Sequence, residues 1–383
     1  MDVSYEPTSR ARLTGDAWPA HKGRMQAQRI SSLTPIGDVL ARVAALARPV
    51  APREMPLAEA EGRVLAQVVR ITAAWPAAPI ALIDGWAVRA AAIEDAGPYA
   101  PVPLSTAPAR VDAGDALPSG ADAVLPLDAV TIGGDIAEVH ASATVGDGVL
   151  EAGADAGAGQ MLRYPGAKLR AIDVAALQAV GVSRVAVREP RVRVVSVGAD
   201  PTALAIARAV ASHGANVIFV RALERALAED ADAIVAIGGT GAGRDHHSVE
   251  QLARAGQVDI HGFGLSPGET SALGGVGKQP VLLLPARLDA ALAAFLVVGE
   301  ALLRGLTDAP ISPGMPVALR RKITSTVGLA EVVPVCRGPD GVEPLASGYW
   351  PMQAIARADG WVLVPPESEG YPAGTRLEMR AFP

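Results

Sequence analysis

The sequence has 383 residues, half of them hydrophobic, with a formal net charge of −6 and a single cysteine, Cys336. That length suits about two to four domains with ample material for cores; the acidic balance argues against a general nucleic-acid binder, and one cysteine excludes an intrachain disulfide or a cysteine-cluster metal site. No apolar run reaches the ~18 residues of a membrane span, and residues 1–30 mix basic residues with Asp and Pro rather than forming a secretory h-region, so a cytoplasmic location is expected.

Residues 1–30 read as a flexible leader without period. Apolar residues at Ile36, Val39, Leu40, Val43 and Leu46 have helical spacing and predict a helix over 36–46. A second short helix is predicted over 57–66, with Gly62 near its middle. A Pro- and Ala-rich loop, 73–79, leads to Asp84-Gly85, a pair that signals a turn whether or not it has a function. Between about 98 and 150 short β-like runs such as 123–126 and 136–140 are punctuated by Gly, Pro and Asp, which predicts a small inserted β domain. Helical character returns at 171–180. From 191 to 306 strands (192–197, 216–220, 233–237, 280–284) alternate with helices (202–213, 223–229, 248–255, 289–304), the pattern of a parallel, doubly wound α/β domain. After a linker at 310–316, runs at 323–327, 330–335, 361–364 and 376–380 predict a C-terminal β domain. The expected fold class is therefore multidomain α/β plus β. Its boundaries are a leader 1–30, a split helical unit 31–72 and 151–189, an inserted β domain 73–150, an α/β domain 190–309 and a β domain 310–383.

The most informative stretch is 230–245. Residues 233–237 are apolar and rich in β-branched side chains, as in a strand buried on both faces. Gly238, Gly239, Gly241 and Gly243 follow, then a helical segment that stops at Gly256. Strand, glycine loop and helix build an anion-binding mouth, because glycine lets a ligand approach the backbone N–H groups closely. The same loop also reads as a βα turn with surplus glycine. In a doubly wound sheet ligands bind beyond the strand carboxyl ends, here 198–200, 238–245 and 285–289.

Seven ordered motifs resemble one family over nearly the whole chain from about residue 33. They are Pro56-Leu-Ala-Glu-Ala-Glu-Gly-Arg-Val-Leu-Ala66, Asp84-Gly-Trp-Ala-Val-Arg89, Leu117-Pro-Ser-Gly-Ala-Asp-Ala-Val124, residues 190–198, Gly238-Gly-Thr-Gly-Ala-Gly243, Pro267-Gly268 and Ala373-Gly374. The family is that of the molybdopterin molybdenumtransferases. The resemblance implies a helical unit of two segments, an inserted β domain, a molybdopterin-binding α/β domain and a C-terminal β barrel. It implies a homodimer with its active site at the dimer interface, and insertion of molybdate into adenylylated molybdopterin with Mg²⁺ and release of AMP. A molybdopterin adenylyltransferase or a recipient molybdoenzyme would be further partners. Carried onto this chain, the candidate catalytic residues are Asp84, Asp200 and Asp245, with Asp84 and Asp200 as candidate metal ligands. The candidate substrate contacts are Gly238, Gly239, Thr240, Gly241, Gly243, Arg244, His246, Ser266, Pro267, Gly268 and Arg287. Each Asp is also readable as a cap or turn residue, Asp200 and Asp245 more readily than Asp84.

The departures from the family pattern fall on polar positions. Ile80 and Ala81 replace an Asn and a Ser, and Ala113-Gly114-Asp115 replaces Thr-Gly-Ala. The family's Lys-Pro-Gly-Lys-Pro reads Ser266-Pro-Gly-Glu-Thr270, so both lysines are gone and one position is acidic. Leu-Pro-Gly-Asn-Pro reads Leu284-Pro-Ala-Arg-Leu288. Charge-assisted contacts are worth about 1.5–3 kcal/mol each, so the change could remove about two to four decades of anion affinity. Arg244, Lys278 and Arg287 are candidate replacements. Three readings follow: a working insertase with a rebuilt anion site, a catalytically impaired pterin-binding or regulatory paralogue, and an enzyme using the scaffold on another ligand.

Overall fold

The structure, a computed structural model, describes residue 30 and residues 32–133, 136–243 and 247–383. At its centre is a six-stranded sheet in the order Asn216–Val220, Arg191–Ser196, Ala233–Ile237, Gln279–Leu284, Ala272–Val276, Gln257–His261. The first four strands are parallel and the last two pairings are antiparallel. Within the central strands the alternation of side chains splits the core in two. Ala233, Val235 and Ile237 pack on one face with Val192, Val194, Leu282 and Leu284; Ile234 and Ala236 pack on the other with Val195, Val281 and Leu283. Helices cover both faces, Asp200–Ser212 and the run Leu288–Thr307 on one side, Leu223–Ala228 and Ser248–Ala255 on the other. This is the doubly wound arrangement expected, but the polar strand at 257–261 and the glycine-interrupted strand at 272–276 were not legible as strands, and they make the sheet mixed.

Leu288–Thr307 is 20 residues long and apolar enough to cross a membrane, yet 72% of its most apolar window is buried inside the protein. It is the central core helix, with a π-helical segment at Phe295–Gly299. The helix Ile36–Leu46 packs against it, burying Ile36, Val39 and Val43 in the α/β core. It therefore lies with the α/β unit, while Arg53–Pro56, Val64–Leu65 and Arg184–Arg188 form a separate small sheet with its own core. The helix expected over 57–66 is absent. A short 3-10 turn at Leu57–Glu59 is followed by Gly62 at φ +76° and the strand Val64–Leu65. Glycine in the left-handed region ends a segment too short to nucleate a stable helix.

The inserted unit carries two three-stranded sheets, one of Ala109–Val111, Gly85–Val88 and Ala123–Pro126, the other of Val130–Gly133, Ile136–Val139 and Val102–Leu104. The C-terminal sheet recruits a strand from the α/β unit. Phe263–Ser266 pairs in parallel with Ala330–Gly338 on one side and with Thr34–Pro35 on the other. Trp350 and Trp361, both fully buried, join the same core cluster as the α/β face. The leader, apart from residue 30, lies outside the described residues.

Docking of Ile36–Leu46 relies on Gly305. A Cβ there would lie 2.5 Å from Ala47 Cβ. Gly→Ala inside an exposed helix normally stabilises by about 1 kcal/mol, whereas this close approach converts it to overpacking. Gly305→Ala should lower stability by about 1–3 kcal/mol, measured by urea unfolding.

Candidate functional site

The strand order reverses between Arg191–Ser196 and Ala233–Ile237, because the first connects outward to Asn216–Val220 and the second lies on its other side. Their carboxyl ends form the switch point where α/β sheets bind ligands. Three loops meet there and are tied by two backbone hydrogen bonds and one from a side chain. Val197 N–H donates to Ile237 O at 2.8 Å, Gly238 N–H to Leu284 O at 2.8 Å, and the Thr202 hydroxyl to Ala286 O at 2.9 Å. Gly238 has φ +106°, and a Cβ on it would lie 2.2 Å from Val197 O, so only glycine fits between the loops.

Within the glycine loop the side chains are committed inward. Ser248, fully buried at the start of helix Ser248–Ala255, donates its hydroxyl to Gly238 O at 2.8 Å, and its N–H donates to Gly239 O at 3.0 Å. Thr240, expected as a substrate contact, is 2% exposed. Its hydroxyl lies 3.1 Å from that of Thr270, and its carbonyl lies 3.0 Å from His261 Nε2. Thr240 thus ties the glycine loop to the Ser266–Thr270 turn. Gly241 and Gly243 continue the loop with no neighbour within 4 Å of a Cβ placed on Gly241. Arg244, Asp245 and His246 lie outside the described residues.

Asp200 opens helix Asp200–Ser212 at the mouth. It accepts the Ser196 hydroxyl, and its other oxygen lies 3.7 Å from Arg221 at the end of the neighbouring strand. Asp84 stands on the inserted sheet instead, where it accepts Ala113 N–H at 2.8 Å. A single chain therefore carries Asp84 and Asp200 on separate structural units. Among the described residues no group of three His, Cys, Asp or Glu side chains could hold a metal ion, and Mg²⁺ prefers a few carboxylates with waters in octahedral geometry. The described donors of one chain do not fit Mg²⁺, and no step is derived through it.

Ser266, Pro267 and Gly268 lie at the end of the strand lent to the C-terminal sheet, with Ser266 opposite Glu331. Gly268, at φ +129°, packs against helix Leu288–Ala294, where its added Cβ would meet Ala290 O at 3.3 Å. Gly268 N–H donates to the Glu269 carboxylate at 3.0 Å. Arg287 is held by a bidentate pair to Asp289, with Nε and a terminal nitrogen at 2.9 and 2.8 Å, and it lies 5.3 Å over the Tyr349 ring. Nearby Glu269 also favours its charged form, after the Asp289 hydrogen bond. Asp289 is 1% exposed; burial opposes its charge, but hydrogen bonds from Arg287, Trp350 N–H and Ala290 N–H outweigh that and hold its carboxyl below the ordinary range. So Arg287 does reach the mouth, already paired. Lys278 does not: it precedes the strand Gln279–Leu284 and lines a groove with Asp230 and Asp232 at the opposite end of the sheet.

Beside Ser266 a pocket of about 170 Å³ is lined by Thr324, Ser325, Thr326, Ser347 and Glu331. Among the described residues the buried Ser325 hydroxyl has no hydrogen-bond partner. Glu331, 4% exposed, accepts the Ser347 hydroxyl and, at 2.8 Å, Gly348 N–H. Sequence reasoning missed this pocket, and also Thr270, His261, Asp289 and Tyr349. Thr270 was visible only as the end of an altered motif, and the others carried no local signal.

A doubly wound α/β unit with a glycine loop at its switch point, joined to a β unit through a shared strand, is the frame of a molybdopterin-binding protein, and comparison with known proteins agrees. Residues 34–181 match the MoeA N-terminal region (domain I and II), and residues 197–305 match a probable molybdopterin-binding domain. The chain is 27% identical over 399 aligned residues to molybdopterin molybdenumtransferase 2 of Mycobacterium tuberculosis, covering 88% of this chain and 96% of that protein. Two crystal structures of the molybdopterin biosynthesis protein MoeA of Pyrococcus horikoshii superpose with TM-scores of 0.70 and 0.71 at 25% and 21% identity, each covering 92% of this chain and all of the other. The chain belongs to the MoeA family.

The Arg287–Asp289 pair yields a prediction with a sign. Because the folded carboxyl is depressed, its contribution is present above the ordinary Asp range and is lost as pH falls through the folded value. Arg287→Ala leaves Asp289 buried without its cation and should cost about 2 kcal/mol at pH 7. The gap between variant and parent should close on acidification below about pH 4, as read by chemical denaturation across pH.

Proposed function

We propose that this protein inserts molybdenum into adenylylated molybdopterin, with molybdate as co-substrate and AMP as product. Membership of the MoeA family supports a role in molybdenum cofactor biosynthesis. The observation that carries the reading to a particular place is the hydroxyl pocket against Ser266. It adjoins the turn where the family's two lysines are missing. Hydroxyls donate hydrogen bonds to a tetrahedral oxyanion without adding charge, and the Ser325 hydroxyl has no partner among the described residues. In this reading molybdate sits in the Thr324–Thr326 pocket. The pterin phosphate lies along Gly239–Gly243, where a glycine loop before a helix admits an anion to backbone N–H groups, and Arg287 lies between them. Pro267 and Gly268 shape the wall.

Asp84 sits on the inserted unit, so its part in the reaction is supplied by a second copy in a homodimer, as the family resemblance implies. Mg²⁺ and Asp245 belong to the same expectation, as do a cytoplasmic setting and exchange with an adenylyltransferase or a recipient molybdoenzyme. One observation favours the second reading, a pterin-binding protein with impaired catalysis. The described charges at the turn are Arg287 against Asp289, Glu269 and Glu331, a negative balance for an anionic substrate.

Calorimetry with molybdopterin and with its adenylylated form, in the presence of Mg²⁺ and molybdate, separates the two. An insertase binds the adenylylated form and releases AMP. Asp84→Ala should abolish that release while the loss of one hydrogen bond to Ala113 costs about 1 kcal/mol of stability. Glu269→Lys should tighten anion binding by about tenfold or more. Binding without AMP release supports the second reading, and failure to bind either form removes both.

A further inference from the structure

A concave feature that the proposed site does not use lies at the other end of the α/β unit. Helix Asp200–Ser212 begins at the mouth and ends at His213, which lines a cavity of about 670 Å³. Three units meet there. Lys168 comes from the linker unit, Glu300 and Arg304 from the end of the core helix run, and Arg337 and Arg380 from the C-terminal sheet. Four cationic side chains thus face one carboxylate side chain, with the last residue Pro383 also at the rim. That carboxylate, Glu300, lies 3.8 Å from His213 Nε2 and is 15% exposed. Among the described residues Arg304, Arg337 and Arg380 have no carboxylate at ion-pair distance. Arg380 instead stacks 5.2 Å over the ring of buried Trp361, and Lys168 donates to Ser212 O.

Convergent cations in a concave, half-buried site repel one another, and an anion relieves them. For Arg304 burial is the main influence lowering its pKa, and Arg380 adds to it, while Glu300 acts in the opposite sense. The remaining wall is apolar, formed by Pro310, Ile311, Met315 and Phe382. We propose that this junction cavity binds a small phosphorylated metabolite, its phosphate held by Arg304, Arg337 and Arg380 and its organic part against the Ile311–Phe382 wall. One ligand would bridge the α/β unit through Arg304 and the C-terminal unit through Arg337 and Arg380, so its occupancy stabilises their packing on one another.

Glu300 gives the site a pH dependence. Burial pushes its carboxyl up to about 7, against the pull of Arg304 and Arg380. Burial pushes His213 down, with Lys168 and Arg304 adding to that and the Ala209 carbonyl opposing it. As pH falls through 7 Glu300 becomes neutral and stops opposing an anion, while the phosphate itself loses charge only nearer its own second pKa of about 6.

The test is titration of the full chain with inorganic diphosphate and with AMP, at pH 6 and pH 8, alongside thermal unfolding. The expected result is saturable binding whose gain from pH 8 to pH 6 exceeds that of the Glu300→Gln variant by about tenfold, the ligand's own titration being common to both, with a rise in unfolding temperature on binding. Arg304→Gln and the more exposed Arg337→Gln should each weaken it about tenfold or more, and Glu300→Gln should tighten it at pH 8 and flatten the pH dependence. Stronger binding of AMP than of diphosphate identifies an organic phosphate as the ligand; the reverse identifies a bare polyphosphate held by the same arginines. Absence of saturable binding at pH 6, or binding unchanged in both arginine variants, overturns the proposal. Neither arginine takes part in the proposed molybdenum site, so AMP release should persist in both variants whichever way this test falls.

Discussion

The structure depends on one strand that leaves its own sheet. Phe263–Ser266 follows an antiparallel edge strand of the α/β sheet, yet it pairs with Ala330–Gly338 of the C-terminal unit and with Thr34–Pro35. Phe263 and Leu265 are fully buried in the common core with Trp350 and Trp361. The backbone of this strand is satisfied by the partner sheet rather than by its own, so the two units cannot separate without exposing paired N–H and C=O groups. Its consequence is positional. Ser266 is delivered opposite Glu331, beside Ser325 and Ser347, while the turn that follows is tied back to the glycine loop by Thr240 and Thr270. The candidate site exists because the chain crosses between units at that point.

This explains which parts of the molecule were legible in the sequence. The four parallel strands were readable because burial on both faces demands continuous apolar runs, and helix Ile36–Leu46 because one buried face demands a period of about 3.6. Ala272–Val276 was not readable, since it reads Ala-Leu-Gly-Gly-Val and the strand before it approaches closely enough that a Cβ on Gly274 would lie 2.1 Å from Gln257 O. Close approach of backbones selects glycine, which weakens the strand signal. The 57–66 segment failed for the opposite reason: its spacing was helical, but a left-handed Gly62 and the pairing of Val64 and Leu65 with Arg184–Arg188 prevailed. Of the site, the glycine loop and the Ser266–Thr270 turn were visible as motifs. Their junction with Thr324–Thr326 and Ser347 was not, because it joins residues some 60 to 80 positions apart through the lent strand.

The altered polar residues also acquire a physical meaning. A lysine pair at 266 and 269 would place mobile point charges beside the mouth. Here Ser266 contributes a hydroxyl to the pocket, and Glu269 caps Gly268 N–H within its own turn. The nearby cation is Arg287, whose guanidinium is fixed by Asp289 from below and by Tyr349 from the side. A pre-paired arginine attracts an anion less strongly than a free lysine, but its planar fork is already oriented and loses less side-chain freedom on binding. The site therefore exchanges net charge for fixed direction. That suits recognition by hydrogen-bond geometry and makes affinity less dependent on salt than two exposed lysines would.

The same helix that sets one site also reaches the other. Asp200 and Thr202 anchor the amino end of helix Asp200–Ser212 at the mouth, and Ser212 and His213 close its carboxyl end against the junction cavity. Between them Ala203, Ile206, Ala207, Ala209 and Val210 are buried, so the helix can shift only by repacking a dense core. His213 meets Phe295 edge-on at 6.0 Å, and Phe295 begins the π-helical segment of the core helix run, beyond which lies Glu300. A physical path therefore connects the cavity to the core helix run whose start, at Asp289, orients Arg287. Contiguity by itself transmits nothing: coupling needs two arrangements of this helix pair that the two ligands favour unequally.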